Sequence, residues 1–233
     1  MTPKNLLKGG RVDSVEPSKH DPATSYISVL RYQLGDWSPY IYRTKNHGQT
    51  WELIVEGIPE NFPVRVVRED PIMEGLLYAG TEFGIYISKD AGNSWVEFQK
   101  NLPITPITDI KIHRDDIVLS TMGRSFWIMD DINFLRFDNG LNKPKIIKPS
   151  ETIRFRYNIP NIEINDYLKP GVFIDYFLDN DNYENILISF FDKNGMIVNT
   201  FTNQNKDSIQ KQDYNMELSL SLIHISEPTR RRG

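Results

Sequence analysis

The chain has 233 residues, 39% hydrophobic and 12% aromatic, enough to bury the core of one large or two modest domains. A net charge of −4 and an isoelectric point near 5.6 give no general attraction to phosphate backbones or anionic surfaces, so nucleic acid is not an expected partner. With no cysteine there is no disulfide framework and no thiolate zinc site, and no apolar run approaches the roughly 20 residues of a membrane helix.

Residues 1–8 form a polar lead-in without a charged region followed by an apolar one. Residues 11–15 alternate as a half-buried strand should, 18–22 are a turn cluster, and 25–30 predict a second strand. The stretch 31–39 carries Gly35, Asp36, Trp37 and Pro39, too many breakers for a strand, and extended structure resumes over 40–43. A run from Thr44 to Trp51 follows, with Asn46, Gly48 and Thr50 between, and 51–55 predicts the fourth strand.

The order then repeats. Strands are expected over 64–68, 76–81, 84–88 and 95–98, and the third hairpin again reads hydroxyl, any, Asp or Asn, any, Gly, any, hydroxyl, Trp: Ser88, Asp90, Gly92, Ser94, Trp95. The two tryptophans stand 44 positions apart, the signature of a repeat. Asp or Asn caps a tight turn, Gly supplies positive φ, and Trp plugs the next strand into a core, so Trp51 and Trp95 are expected to be buried at equivalent positions. A third unit is predicted over 107–112, 117–121 and 125–129; its hairpin keeps Asp130 and Asp131 but lacks the Gly-x-hydroxyl-Trp ending.

A four-stranded sheet of this kind needs neighbours packed around an axis, and rings typically take about 4–8 of them. Three blades between about residues 9 and 156 therefore imply upstream blades of the same parent chain, with a closing strand expected in 145–156. After 160 the pattern changes to apolar strands at 172–178 and 186–191, a turn at 192–195 and a strand at 196–201, an antiparallel meander that looks like the start of an immunoglobulin-like sandwich over 160–202. Residues 203–219 read as a polar tail, and 220–233 resemble a translated sequencing-library adapter and are set aside from the fold.

The repeated turn resembles the Asp-box (BNR) motif of sialidases, sortilin-type receptors and xyloglucanase-like glycosidases, all β-propellers. The second copy is complete, and the first has Asn46 in place of the aspartate. The runs 10–12, 64–71, 76–88 and 121–131 look like one subgroup, large bacterial proteins labelled glycosyl hydrolase or sortilin-like, in which a propeller precedes a β-sandwich. The resemblance, over roughly 9–201, implies an all-β fold: a partial propeller of about three four-stranded blades, then an incomplete immunoglobulin-like sandwich. It implies a secreted or periplasmic protein whose signal lies upstream. For function it implies binding or hydrolysis of a polysaccharide, or alternatively a non-catalytic sortilin-like module for peptides or proteins.

Strand direction fixes which loops share a face. The connections between second and third strands, 31–37, 82–83 and 122–124, emerge at one end, and the turn motifs at the other. Asp36, Trp37, Glu82, Phe83 and Arg124 are therefore the ligand-face candidates, since rings stack on apolar faces while charges fix orientation. The competing reading is that Trp37 and Phe83 seal loop ends and Arg124 ties blades together through carbonyls. Glycoside hydrolysis needs two carboxyl groups about 5–9.5 Å apart. Asp36, Glu69, Asp70, Glu82, Asp109 and Asp130 are available, but no motif singles out a catalytic pair. His20, His47 and His113 have no metal or triad spacing, and a lone turn carboxylate supplies too few oxygens for calcium, so neither metal nor cofactor is expected.

Overall fold

The computed structural model describes residues 3, 4, 6, 8–136, 144–147, 174–178 and 186–202. The first unit is an antiparallel meander of β1 (Arg11–Pro17), β2 (Ser25–Leu30), β3 (Ile41–Thr44) and β4 (Glu52–Leu53), paired in that order. The second repeats it with β5 (Val64–Glu69), β6 (Leu77–Thr81), β7 (Gly84–Ser88) and β8 (Val96–Glu97). The third has β9 (Ile107–His113), β10 (Asp116–Thr121) and β11 (Phe126–Met129), and a short 3₁₀ turn, Ile132–Phe134, stands where the last hairpin would begin. The fold is all-β, and its repeated meanders are the blades of a partial β-propeller.

Each first strand carries a bulge at its second or third residue, where the register skips Asp13, Arg65 and Thr108. A bulge increases local twist and re-aims a side chain, so the three inner strands bend alike. β5 packs against β1 and β2, and β9 against β5 and β6, which sets the blades side by side through these strands. Between blades 1 and 2 lies a buried polar relay. The Ser28 hydroxyl donates to the Arg65 carbonyl at 2.7 Å, the Val67 N–H donates to Ser14 Oγ at 3.1 Å, and the two serine oxygens are 2.7 Å apart. Since Ser28 gives its proton to Arg65, Ser14 must donate to Ser28, and every hydroxyl is satisfied. In blade 2, Gly80 takes the register place of Ser28, and a Cβ there would lie 2.6 Å from Val66 Cγ1 and 2.8 Å from Ile107 Cγ2. Blade 3 occupies the space of that missing side chain.

The two turn motifs are nearly superposable in their bonding. Asp90 Oδ1 accepts from Ser94 N–H at 2.9 Å and from the Ser88 hydroxyl at 2.7 Å, while Ser88 Oγ accepts from Gly92 N–H at 2.8 Å. Asn46 Oδ1 accepts from Thr50 N–H at 2.8 Å and the Thr44 hydroxyl at 3.0 Å, and Thr44 Oγ1 accepts from Gly48 N–H at 2.9 Å. One bond reverses: Asp90 Oδ2 accepts from the Ser94 hydroxyl at 2.6 Å, whereas Asn46 Nδ2 donates to Thr50 Oγ1 at 2.8 Å. Positive φ falls on two consecutive residues in each turn, His47 and Gly48, Ala91 and Gly92. The motif predicts positive φ at the glycine alone, and the residue before it takes the left-handed conformation as well.

The tryptophans differ. Trp95 is 3% exposed in the main core and its Nε1 donates to the Ile54 carbonyl of blade 1 at 2.9 Å. Trp51, by contrast, is only partly buried against Ile27, Val29 and Tyr42, and its Nε1 has no acceptor among the described residues. The expectation of equal burial fails because the tryptophan at this place reaches back to the preceding blade, and no described blade precedes the first.

At the turn-motif end the blades converge on Asp70, which is wholly buried. Its carboxylate accepts from Arg136 Nε at 3.0 and 3.1 Å, from the N–H groups of Ile72 and Met73 at 2.8 and 2.9 Å, and from the Tyr78 hydroxyl at 3.2 Å. Its carbonyl lies 2.8 Å from His20 Nε2, which therefore carries the proton. Arg136 also reaches Asp115 at 2.6 Å and the Arg114 carbonyl at 3.1 Å. The first loops of all three blades are joined in this way, and Asp131 caps the 3₁₀ turn that brings Arg136 there.

The described residues from 144 onward belong to a second compact unit. In it β12 (Lys145–Ile146) pairs with β13 (Tyr176–Phe177), and β14 (Leu187–Phe191) with β15 (Ile197–Thr202). The 145–156 stretch expected to close a blade thus pairs, in its described part, with β13 instead. The turn at 192–195 forms as expected, with Asp192 accepting from Asn194 and Met196 N–H at 2.8 and 2.9 Å. Most of the expected sandwich, the tail at 203–219 and residues 220–233 lie outside the described residues.

Three substitutions test these contacts. Asp70→Asn removes the fully buried counter-charge of the Arg136 guanidinium, itself 7% exposed, and leaves it only Asp115, whose side chain is 40% exposed. It should lower unfolding free energy by about 3–5 kcal/mol in urea titration, the range for breaking a buried pair. Asp90→Ala should cost about 0.5–2 kcal/mol as a lost cap. Desolvation pushes the Asp90 carboxyl up, but bonds from Ser94 and Ser88 outweigh it and hold it below the ordinary 3.8. Its stabilisation is therefore complete above that pH and lost as pH falls through the folded-state value. Asp90→Asn, bonding as Asn46 does, should retain most of the stability at pH 7 and lose this acid dependence in thermal melts run from pH 7 to 2.

Candidate functional site

Hydrogen bonds between connections fix the two ends of the blades. At one end the connection from second to third strand touches the residues leading into the first strand: Arg31 Nη1 to the Lys8 carbonyl at 2.5 Å, Glu82 N–H to Pro63 at 3.0 Å, and Met122 N–H to Pro106 at 2.9 Å. At the other end the His47, Ala91 and Ile132 N–H groups bond the Ala23, Gly75 and Asp115 carbonyls. All five candidate residues stand at the first end.

Their environments differ. Asp36 follows a 3₁₀ turn, Tyr32–Leu34, closed by Gly35 at φ 79°. It accepts from Arg31 Nε at 2.7 Å, the Tyr40 hydroxyl at 2.8 Å and Ser38 N–H at 3.1 Å. Desolvation raises its pKa, but these bonds outweigh it and bring the carboxyl down to about 2. Trp37 is 44% exposed, its ring 5.9 Å from that of Tyr32. The Arg65 guanidinium lies 5.7 Å from the Tyr32 ring on one side and pairs with Glu82 at 2.6 Å on the other. Both side chains of this pair are 12% exposed; the close contact runs from Arg65 Nη2 to Glu82 Oε1 without an aligned hydrogen bond, and Arg65 Nε has no hydrogen-bond partner among the described residues. Trp37, Tyr32, Arg65 and Glu82 thus form a row from blade 1 to blade 2.

Phe83 turns away from this row onto Phe62, at 4.6 Å between rings, and Phe62 meets Tyr86 edge-on at 6.2 Å. It seals the loop against the core margin. Arg124 is exposed; its carbonyl accepts from Trp127 Nε1 at 2.8 Å, and its guanidinium has no partner among the described residues. It stands apart from the row. Leu34, Ile104, Met122 and Phe126 are exposed in or beside the same connections.

Tyr32, Phe62 and Arg65 were not among the sequence-derived candidates. For Arg65 a signal existed: Val64-Arg65-Val66-Val67 breaks strand alternation, which marks a bulge and a re-aimed side chain. Two further carboxylates meet Arg68. Asp109 pairs with Arg68 at 2.7 Å, and Glu16 with the same arginine at 3.5 Å. Burial raises the Glu16 carboxyl, with Arg68 opposing, but it sits toward the turn-motif end of β1.

No family model matches the chain, and no curated protein does. Among solved structures it is similar to YCF48 bound to a D1 peptide, with 19% identity and a TM-score of 0.40 over 55% of this chain and 39% of that one. It is similar to an ancestral GH74 enzyme at 17% identity and a TM-score of 0.44, covering 53% of this chain and 17% of that one. The GH74 xyloglucanase from Xanthomonas campestris matches at 13% identity and a TM-score of 0.42, over 65% and 26% of the two chains. The chain spans less than half of each of these structures. At such identities and scores they say nothing of its activity.

The row separates structural from exposed groups experimentally. Glu82→Ala strands the mostly buried Arg65 and should cost about 1–3 kcal/mol in chemical unfolding. Trp37→Ala should stay within about 0.5 kcal/mol of the parent in the same assay, as exposed positions do.

Proposed function

We propose that these blades belong to an Asp-box, sortilin-like protein and that the end carrying Trp37, Arg65 and Arg124 binds peptide or protein without catalysing a reaction. The observation behind this reading is the state of the two carboxylates on that end. Asp36 is held by Arg31, Tyr40 and Ser38 with its pKa brought down to about 2, and Glu82 is paired with Arg65. A glycosidase acid must hold its proton near working pH, which calls for a raised carboxyl pKa. Hydrolysis of a polysaccharide, the other activity the resemblance implies, would need its acid and its second carboxylate from residues other than Asp36 and Glu82.

The apolar groups favour a peptide over a sugar. Trp37 can stack on either, but exposed Leu34, Ile104, Met122 and Phe126 suit aliphatic and aromatic side chains of a partner. Sugars are held by flat rings together with many polar groups. Arg124, with no ion-pair partner among the described residues, supplies a charge for orientation. A secreted or periplasmic location goes with the same reading.

The test is an array of random peptides and neutral oligosaccharides probed with the full chain, with selected binders measured by calorimetry. Peptides should bind, and Trp37→Ala should weaken them by roughly 30-fold, as loss of an anchor worth about 2 kcal/mol does. Arg124→Ala should weaken acidic peptides selectively. Binding confined to oligosaccharides, or release of shortened sugar, would return the polysaccharide reading.

A further inference from the structure

Outside the row described above, blade 1 carries a cleft of about 620 Å³ between residues 38–40 and 53–61. Its apolar lining includes Pro39, Leu53, Val55 and the ring of Tyr40, and Glu56 and Glu60 stand exposed on it; no lysine, arginine or histidine is among the lining residues. Neither glutamate carboxylate has a partner among the described residues. The cleft is framed rigidly. Trp95 N–H donates to the Glu56 carbonyl at 2.8 Å, Ile58 N–H to Val55 at 3.0 Å, and a Cβ on Gly57, at φ 95°, would lie 2.1 Å from the Trp95 carbonyl oxygen. On the opposite wall the Tyr40 hydroxyl is held by Asp36.

Beside it runs β4, the last strand in the order β1-β2-β3-β4, bonded to β3 on one side and with no strand partner among the described residues on the other. An unpaired edge accepts an extended chain through main-chain bonds, while pockets beside it select side chains.

We propose that this edge and cleft together bind an extended peptide carrying arginine or lysine. The backbone adds to β4, and one basic side chain enters the cleft. Its aliphatic stem lies along Leu53, Val55 and the Tyr40 ring, and its cation meets Glu56 and Glu60. A long basic side chain matches this division, since it buries its methylenes while keeping its charge at a wet rim. An acidic side chain would meet two like charges instead. The site shares no residue with Trp37, Tyr32, Arg65 or Glu82, so it stands or falls apart from the reading above.

The probe is a capped pentapeptide alternating valine and arginine, titrated into the isotope-labelled full chain and followed by amide NMR shifts and calorimetry. The control peptide has glutamate in place of arginine. The arginine peptide should bind and shift amides of residues 52–61, its affinity falling as salt rises. The double variant Glu56→Gln, Glu60→Gln should keep its melting temperature and bind roughly three- to thirtyfold more weakly, the range for two exposed charge pairs. Trp37→Ala should leave this binding unchanged. Equal binding of the two peptides, full affinity in the double variant, shifts confined to other residues, or no binding of the arginine peptide would each overturn the proposal.

Discussion

The buried contact between Asp70 and Arg136 holds the three blades at one end. A meander of four short strands has two apolar faces and covers neither, so it persists only where neighbours are held at a fixed angle. Asp70 lies in the first loop of blade 2, Arg136 follows blade 3, and the Asp70 carbonyl accepts a hydrogen bond from His20 Nε2 of blade 1. Isolated, either charge would be costly at this depth. Together with two backbone N–H groups and the Tyr78 hydroxyl, the carboxylate is fully satisfied. A substitute pair of apolar residues could fill the volume, but would not specify which loop meets which.

The second constraint is geometric. The motif turns place the tryptophan of one blade against the last strand of the blade before, and Trp95 Nε1 closes on the Ile54 carbonyl. Blade 1 answers with Arg43, buried, which donates to the Ala91 carbonyl inside the turn of blade 2 at 2.6 Å. The corresponding position in blade 2 is Ile87, and blade 3 has neither motif nor tryptophan at that place. Between blades 2 and 3 the Asp70 and Arg136 contact takes over the work that Trp95 and Arg43 do between blades 1 and 2.

The ends of the blades are unequal as a result. The turn-motif end is saturated with internal bonds, and its carboxylates serve as caps and hubs. The opposite end keeps Trp37, Arg124 and several apolar side chains in solvent around a charged pair already neutralised from within.

What the sequence by itself determined is the local grammar. Strand alternation, the 44-residue spacing and the Asp or Asn, Gly and Trp positions are set by interactions within a few residues, so strands, turns and the end at which each loop emerges were all legible. Asp36, Trp37, Glu82, Phe83 and Arg124 emerge together at one end for the same reason. What each does was not legible, because that depends on partners far along the chain. Arg65 meets both Tyr32 and Glu82, Phe83 turns to Phe62, and Trp51 lacks the acceptor that Trp95 has. The roles of Asp70 and Arg136 are of the same kind: 66 positions separate them, and only the packing of one blade on the next brings their charges together.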